Sequence, residues 1–354
     1  RVTVPELAEV NGENSLVKEV SEKETYIRFI FTASKDMPYC RKGDEICFDQ
    51  LLLWEGTGNK QENETSSVLC EEGTFLIMVS CKSENGTITY RFNKRIAAFD
   101  SIVCDGKELL DRPMMFNFFR APVDNDTMRW DWYRAHLNDY KVKAYGTKVE
   151  VTEESVVITL RQSFGWSMYQ PFCYMDVSYR IAGGRLTINC ELEATNKLTF
   201  LPRFGIRLFV PKRFESVEYF GYGPYESYID KHQASYMGNF QAKIAELHED
   251  YIMPQENSSH YNCKRMSFTD GAVTVTFRAQ EGFSFNASEY TQEELAAKRH
   301  NFELERCESN VICVDYKMAG VGSNACGPAL AEKYRLELPK LSAKFCMEIS
   351  RKGC

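Results

Sequence analysis

Short strand-like segments recur along nearly the whole chain, and this recurrence limits the possible folds more than any other feature. Apolar or alternating runs follow one another roughly every 8–15 residues, with turn-forming residues between them. Clear examples are 25–34 and 45–54, and an Asn85-Gly86 pair between two apolar runs predicts a tight hairpin. The pattern is typical of an all-β sandwich.

Helical periodicity is rare by comparison. Residues 130–140 and 291–301 each predict a helix of about three turns. Thr291, followed three residues later by Glu294, fits an N-terminal capping box. No fixed-period repeat is present, which argues against a propeller or a solenoid.

The length and the linker pattern predict two unequal domains. The chain has 354 residues, and 44% of them are hydrophobic, so it can bury a large core. The polar stretch GNKQENETSS begins the strongest candidate linker. We therefore expect a first domain over 1–57, a linker over 58–69 and a second domain over 70–354. The second is large for one β domain and indicates a double-sized sandwich.

Charge and cysteine usage narrow the partners and the compartment. A net charge of −7 argues against binding to nucleic-acid backbones or anionic membranes. The chain has no run of 18 apolar residues that would span a membrane. Thirteen cysteines, an odd number without a CxxC motif, do not form a disulfide framework pattern. We expect reduced thiols, most of them buried, in a cytoplasmic protein.

The stretch FFRAPVDNDTMRWDW, residues 118–132, concentrates groups that could perform chemistry. An EF-hand metal loop starting at Asp124 would need Gly and Glu where Arg129 and Ala135 stand, so that interpretation fails. Asp124 and Asp126 could form a glycosidase pair only if a turn made them converge. The alternative is that these Asp and Asn side chains cap a turn and a helix beginning near Met128.

Other catalytic motifs are absent from the sequence. It contains no GxxxxGK[ST], GxSxG or HExxH, and its five histidines show no metal-ligand spacing. Aromatic and amide side chains, which suit sugar binding, are concentrated in residues 118–132, 219–231 and 254–262. Each stretch could equally be core and turn.

Five blocks in one order give the chain a family resemblance. They are RFNKRIAAFDSIVCDGKELLDRPMMFNFFRAPVDND, YFGYGPYESYIDK, YIMPQENSSHYNCKRMSF, FSFNASEYTQEELAAKRH and KMAGVGSNACGPAL. In this order they resemble the C-terminal region of the large β-galactosidases of glycoside hydrolase family 2. The resemblance implies a galactose-mutarotase-like supersandwich, preceded by the end of an immunoglobulin-like β-sandwich.

The resemblance also implies what this chain lacks. Enzymes of this family hydrolyse terminal β-galactosides, lactose among them, with two glutamates in a central TIM barrel. Magnesium and sodium sites are expected in that barrel, so we expect no catalytic residue, metal or cofactor here. The expected partners are the barrel domain, the galactoside and, in the whole enzyme, further copies of the chain.

Substrate contacts are expected only at the mouth of the active site. Aligned through MAGVGSNACGP, Cys326 falls where well-known members carry a tryptophan, with Ser323 and Asn324 just before it. A thiol stacks on a sugar far less well than an indole, so a weaker grip on the aglycone is expected. Residues 120–126 resemble a signature loop of the family, and this loop contributes a second group of candidate contacts: Arg120, Asp124, Asn125 and Asp126.

Two further functions remain as alternatives. One is a stand-alone carbohydrate-binding module, and the other is an aldose 1-epimerase with the same fold. An epimerase needs an acid–base pair, usually a histidine and a carboxylate in one pocket. No histidine here sits in a recognisable epimerase motif.

Overall fold

The computed structural model describes residues 24–55, 67–83, 86–195, 198–322 and 329–351. The chain divides into two compact units, Arg1–Glu62 and Asn63–Cys354. The expected linker over 58–69 lies mostly outside the described residues. The domain limits inferred from the sequence therefore stay predictions.

The described residues form twenty-one strands, numbered in chain order. The first seven are β1 (Thr25–Thr32), β2 (Glu45–Trp54), β3 (Ser67–Glu72), β4 (Leu76–Ser83), β5 (Gly86–Asn93), β6 (Ala98–Cys104) and β7 (Lys107–Glu108). The next seven are β8 (Arg112–Asn117), β9 (Lys141–Val151), β10 (Val156–Gly165), β11 (Cys173–Ala182), β12 (Arg185–Ala194), β13 (Phe200–Leu201) and β14 (Arg203–Val210). The last seven are β15 (Ser216–Gly223), β16 (Tyr236–Lys243), β17 (His260–Thr269), β18 (Val273–Ser288), β19 (Asn310–Met318), β20 (Leu336–Glu337) and β21 (Lys340–Arg351).

In the first unit, β1 and β2 pair antiparallel as a two-stranded sheet. In the second unit, β3 to β7 form a five-stranded sheet in sequence order. Twelve strands form the large sheet, whose main path runs β16-β15-β17-β18-β21-β12-β11-β10-β9, while β13 pairs with β20. The predicted hairpin is confirmed in its strands, since β4 pairs with β5; Asn85 itself lies outside the described residues.

The large sheet divides at its longest strand. The first part of β18, from Val273 to Phe277, pairs with β21, and its last part, from Ser284 to Ser288, pairs with β19. Strand β19 continues to β14, and β14 to β8. Positive φ angles at Asn262 (52°) and Gly282 (88°) accompany the register shifts between β17 and β18 at this bend. The two branches curl around a shared interior, so the expected all-β supersandwich is confirmed.

One continuous apolar core joins the five-stranded and twelve-stranded sheets. Phe99 from β6 meets Tyr179 from β11 edge-on, with ring centroids 5.2 Å apart. Such edge-to-face contacts add about 0.5–1.5 kcal/mol beyond the burial of their area. The core therefore holds the small sheet firmly to the large one.

Both predicted helices are shorter than the sequence indicates. The first, α1, spans Arg129–Arg134. His136 then takes a positive φ of 59°, its N–H donates to the Tyr133 carbonyl, and the Leu137 N–H donates to that of Trp132. These bonds form a Schellman ending, normally made by glycine, which is why the pattern failed to show it.

The second helix, α2, spans Gln292–Ala297. Thr291 caps it as predicted, because its hydroxyl accepts from the Glu294 N–H at 3.1 Å. The Glu294 carboxylate does not complete the capping box and accepts instead from the N–H of Glu305. None of the helices in the described part of the chain is long and apolar enough to cross a membrane.

The cysteines of the described residues are all free thiols. Six are buried: Cys81, Cys104, Cys173, Cys190, Cys263 and Cys313. The predicted role as small apolar core residues is confirmed for these six.

A buried ion pair ties the strands of the core together. The Arg203 guanidinium on β14 is fully buried and donates through Nε to Asp315 on β19 at 3.0 Å. Its Nη2 also donates to Asn286 on β18 at 2.9 Å. A second carboxylate, Glu256, lies 3.7 Å from Nη1. The guanidinium is thereby neutralised in a region that water does not reach.

Removing the carboxylate from this pair should strongly destabilise the protein. Asp315→Asn keeps the side-chain shape but leaves a buried guanidinium poorly neutralised, which costs about 3–5 kcal/mol. The matched control is Asp176→Asn, which breaks the exposed pair with Arg161 and should cost under about 1 kcal/mol. Urea unfolding measures both changes, and equal losses would contradict the structural role of Arg203.

Candidate functional site

The three stretches rich in aromatic and amide side chains meet at one cleft of about 490 Å³. The signature loop, residues 120–126, forms one wall, and residues 226–231 and 251–256 form others. The lining residues are Val123, Asp124, Asn125, Glu226, Tyr228, Asp230, Lys231, Tyr251, Gln255, Glu256, Val321 and Gly322. We describe this cleft as the candidate functional site.

A buried arginine holds the signature loop in place. Arg120 is fully buried, and its Nη2 donates to Asp126 Oδ1 at 2.7 Å and to the Gly320 carbonyl at 3.0 Å. Its Nη1 donates to the Ala319 carbonyl at 3.3 Å, and the guanidinium lies over the Trp132 ring. Arg120 therefore joins the loop to the segment that follows β19.

Asp126 closes the turn within the signature loop. Its Oδ2 accepts from the Val123 N–H at 2.9 Å, and its own N–H donates to the Val123 carbonyl. Burial raises the pKa of this carboxyl, while the positive charge of Arg120 opposes the rise. The predicted turn is thus confirmed, but the predicted helix cap is wrong, because the N-cap is Met128 without a side-chain bond.

Asn125 and Asp230 both hydrogen-bond to one short backbone segment, residues 321–322, and we call this arrangement the Asn125–Asp230 grip. Asp230 accepts from the Val321 and Gly322 N–H groups, each at 3.0 Å. Asn125 Nδ2 donates to the Gly322 carbonyl at 2.7 Å. A Cβ at Gly320 would lie 2.5 Å from the Asp230 carboxylate, so that close approach requires glycine.

The predicted contact residues differ in how they meet the cleft. Asp124 is exposed on its wall and Asn125 is half-buried, whereas Arg120 and Asp126 are buried behind it. Their contact with a sugar stays a prediction. The remaining predicted contacts, Ser323, Asn324 and Cys326, lie outside the described residues.

A second group of cleft residues was missed as a site from the sequence. Glu226 accepts from Lys231 Nζ, from the Tyr251 hydroxyl and from the Ser258 N–H. Lys231 Nζ also donates to the Tyr251 hydroxyl at 3.2 Å. The sequence indicated this site only through composition, since 219–231 and 254–262 are rich in aromatic and polar residues. It did not indicate that Glu226 and Lys231 would contact Tyr251.

Glu256 connects the cleft to the buried ion pair below it. One of its carboxylate oxygens accepts from Asn286 at 2.9 Å, and the other lies near Arg203. Its backbone N–H donates to the Ala121 carbonyl at 3.2 Å, which fixes it to the signature loop. Burial raises the pKa of this carboxyl against the lowering effect of Arg203.

One of the histidines close in sequence to the cleft residues, His260, lies in the core. His260 is fully buried between Tyr219 and Phe285, and its Nδ1 lies 3.1 Å from the Ser258 carbonyl. Burial lowers the pKa of His260 to about 4. The described residues that line the cleft include no histidine, so the carboxylate–histidine pair of an epimerase is not assembled there.

The buried neutral imidazole makes stability depend on pH. Because the pKa of His260 is about 4 in the folded chain and about 6.5 when unfolded, its contribution is lost as pH falls through this interval. We expect a loss of about 2 kcal/mol between pH 7 and pH 5 that His260→Phe abolishes. Urea unfolding at both pH values measures it, with pH 8 as the reference where imidazole is neutral in both states. Identical pH dependence in the two proteins would contradict burial of a neutral ring.

The chain is similar to known proteins over most of its length. The family described as β-galactosidase small chain matches residues 84–348. The β-galactosidase of Actinobacillus pleuropneumoniae is 36% identical over 284 residues, which are 80% of this chain and 28% of that protein. The β-galactosidase of Staphylococcus xylosus is 33% identical over 305 residues, 85% of this chain and 30% of that protein. The chain thus spans less than a third of the length of either relative.

Solved structures with similar folds have low sequence identity to the chain. The galactose 1-epimerase of Lactobacillus acidophilus gives a TM-score of 0.41 at 8% identity, covering 82% of this chain and 100% of that one. A galactose mutarotase-like protein of Clostridium acetobutylicum gives 0.44 at 6% identity, covering 81% and 99%.

Proposed function

Because the chain belongs to the β-galactosidase small-chain family, we propose that it is the non-catalytic C-terminal part of a β-galactosidase. In this proposal it packs against the enzyme's TIM barrel and forms part of the mouth of the active site. The barrel supplies the two catalytic glutamates and binds the magnesium and sodium. The substrate is a terminal β-galactoside such as lactose, and the whole enzyme is a homo-oligomer.

The observation that carries this proposal is that three carboxylates of the cleft bind other groups of the protein. Glu226 is held by Lys231 and Tyr251, and Asp230 by two backbone N–H groups. Glu256 is buried against Arg203 and Asn286. These groups hold the walls of the cleft together. Among the described lining residues, Asp124 is then the one carboxylate without a structural bond, and a glycosidase needs two, as nucleophile and acid.

The shape of the cleft supports a role in completing a larger site. Its walls come from segments far apart in the chain, and the Asn125–Asp230 grip fixes the backbone up to Gly322. The candidate contacts Ser323, Asn324 and Cys326 follow directly along the chain. We propose that this grip positions them, together with Asp124, toward the aglycone of the bound galactoside.

One alternative has an observation in its favour. Tyr228, Tyr251 and Gln255 line the cleft, and such aromatic and amide groups suit a stand-alone carbohydrate-binding module. Saturable binding of galactose to the isolated chain below about 1 mM would favour that function. An aldose 1-epimerase is not favoured, because the cleft offers it no histidine among the described lining residues.

The purified chain should not hydrolyse a chromogenic β-galactoside. Glu226, Asp230 and Glu256 in the cleft are engaged in structural bonds, and the proposed nucleophile and acid belong to the barrel. Release of the chromophore measures turnover. Hydrolysis that disappears when Glu226 or Glu256 is changed to Gln would overturn the non-catalytic role.

A chimera tests the role at the active-site mouth. Residues 67–351 would replace the matching region of the Actinobacillus pleuropneumoniae enzyme, and hydrolysis of lactose would be followed. Asp230→Asn weakens the grip on Val321 and Gly322, and we expect KM to rise about tenfold with a smaller change in kcat. The control Asp176→Asn, on the outer face of β11, should leave both constants unchanged. Equal effects of the two substitutions would contradict a positioning role for Asp230.

A further inference from the structure

A surface that shares no residue with the cleft combines aromatic rings with basic side chains. It lies on the outer face of the sheet at β9, β10 and β11 and in the loop that joins β10 to β11. We call it the aromatic–basic strip, and its members are Lys141, Lys143, Tyr145, Arg161, Trp166, Tyr169 and Tyr174. None of them belongs to the core or to the candidate site.

The strand register brings the first part of the strip together. Tyr145 pairs with Arg161 across β9 and β10, and Ser163 pairs with Tyr174 across β10 and β11. The Tyr145 hydroxyl lies 3.1 Å from Ser163 Oγ, and the rings of Tyr145 and Tyr174 are 6.3 Å apart. On β9 the intervening residues Val142 and Ala144 face the core instead. The two tyrosines therefore share one outward face.

Basic groups lie over the rings of this face. Lys143 Nζ lies 5.0 Å from the Tyr145 ring centroid, and Arg161 Cζ lies 5.3 Å from that of Tyr174. Two residues earlier, Lys141 Nζ lies 5.1 Å from the Trp166 ring. Because residues two apart on a strand are spaced about 6.6–6.8 Å, Lys141 and Lys143 follow each other along β9. Arg161 lies beside them on the neighbouring strand β10.

The loop extends the strip with an exposed ring. Trp166 stacks on His136 with centroids 5.0 Å apart, and Tyr169 contacts the same His136 at 5.9 Å. Tyr169 is 69% exposed, and the neighbouring Met168 is fully exposed. Tyr169 therefore offers an open aromatic surface next to the cations.

Two cations of the strip have no carboxylate partner in the described part of the chain. Four carboxylates lie on or beside this face, and each has another partner: Asp139 bonds to His136, Asp176 pairs with Arg161, Glu193 opposite Tyr174 lies near Lys340, and Glu191 accepts from Ser342. Lys141 and Lys143 form no ion pair among the described residues. Their two ammonium groups favour an anionic ligand over a neutral one.

We propose that the aromatic–basic strip binds an acidic polysaccharide, a chain of sugar rings each bearing one carboxylate or sulfate group. The ammonium and guanidinium groups bind the anionic substituents, and the C–H face of a sugar stacks on Tyr169. A single-stranded nucleic acid is a poorer match, because it needs an uncovered ring for each stacked base. This site is independent of the cleft and of the proposed non-catalytic role in a β-galactosidase.

Binding is tested with the complete 354-residue chain and three polysaccharides of equal length. Polygalacturonate and a sulfated galactan carry the proposed charges, and a neutral galactan is the reference. Isothermal titration at about 50 mM NaCl, where surface electrostatics is weakly screened, gives each Kd. We expect at least one acidic polysaccharide to bind about tenfold more tightly than the neutral one.

Matched substitutions locate the site. The double variant Lys143→Gln and Arg161→Gln removes two charges from the strip and should weaken binding about tenfold. The control, Lys317→Gln and Lys344→Gln, removes two exposed charges elsewhere, one of them also over a tyrosine ring. It should change Kd by less than about twofold. Tyr169→Ala removes an exposed ring with little effect on folding and should weaken binding about fivefold.

Several results would overturn the proposal. They are no measurable binding of either acidic polysaccharide, equal weakening by the two double variants, or an unchanged Kd in Tyr169→Ala. Binding of neutral galactan as tightly as both acidic ones would remove the role of charge. Tighter binding of oligothymidylate through the same residues would assign the strip to nucleic acid instead.

Discussion

A fully buried guanidinium cannot stay in a protein core without opposite charge and hydrogen-bond acceptors around it, and Arg203 imposes this condition on the second unit. Asp315 reaches it from β19, Asn286 from β18 and Glu256 from the segment before β17. Three parts of the chain must therefore arrive at one point. Because Glu256 also lines the cleft, the arrangement that neutralises Arg203 fixes the floor of the candidate site as well.

The need to neutralise buried cations and to bind backbone N–H groups also explains why the cleft has many carboxylates but no catalytic pair among its described residues. Asp126 neutralises Arg120, and Asp230 holds backbone N–H groups. Acidic side chains such as Asp126, which the sequence alone offers as catalytic candidates, are thus partners of buried cations or of backbone donors. Asp124 differs, since it is exposed on the wall. The cleft is built to hold a shape, which fits a part that borders a reaction performed elsewhere in a larger enzyme.

Features governed by neighbouring residues were predictable from the sequence, and features governed by distant pairing were not. The strand pattern predicted the all-β fold, and Thr291 predicted the start of α2. The length of α1 was overestimated because His136 adopts a conformation that periodicity does not encode. The loop around Asn125 was recognised as important, but its partner Asp230 lies more than a hundred residues away. Only the folded sheet reveals that both side chains grip Gly322.

The division of the large sheet at β18 has a consequence for motion. One continuous strand belongs to both branches, through β21 at one end and β19 at the other. The branches can move relative to each other only by breaking this strand or by bending it between Phe277 and Ser284, where it pairs with neither β21 nor β19. Amide protons in the two paired parts of β18 should therefore exchange with solvent far more slowly than those of residues 279–282 between them.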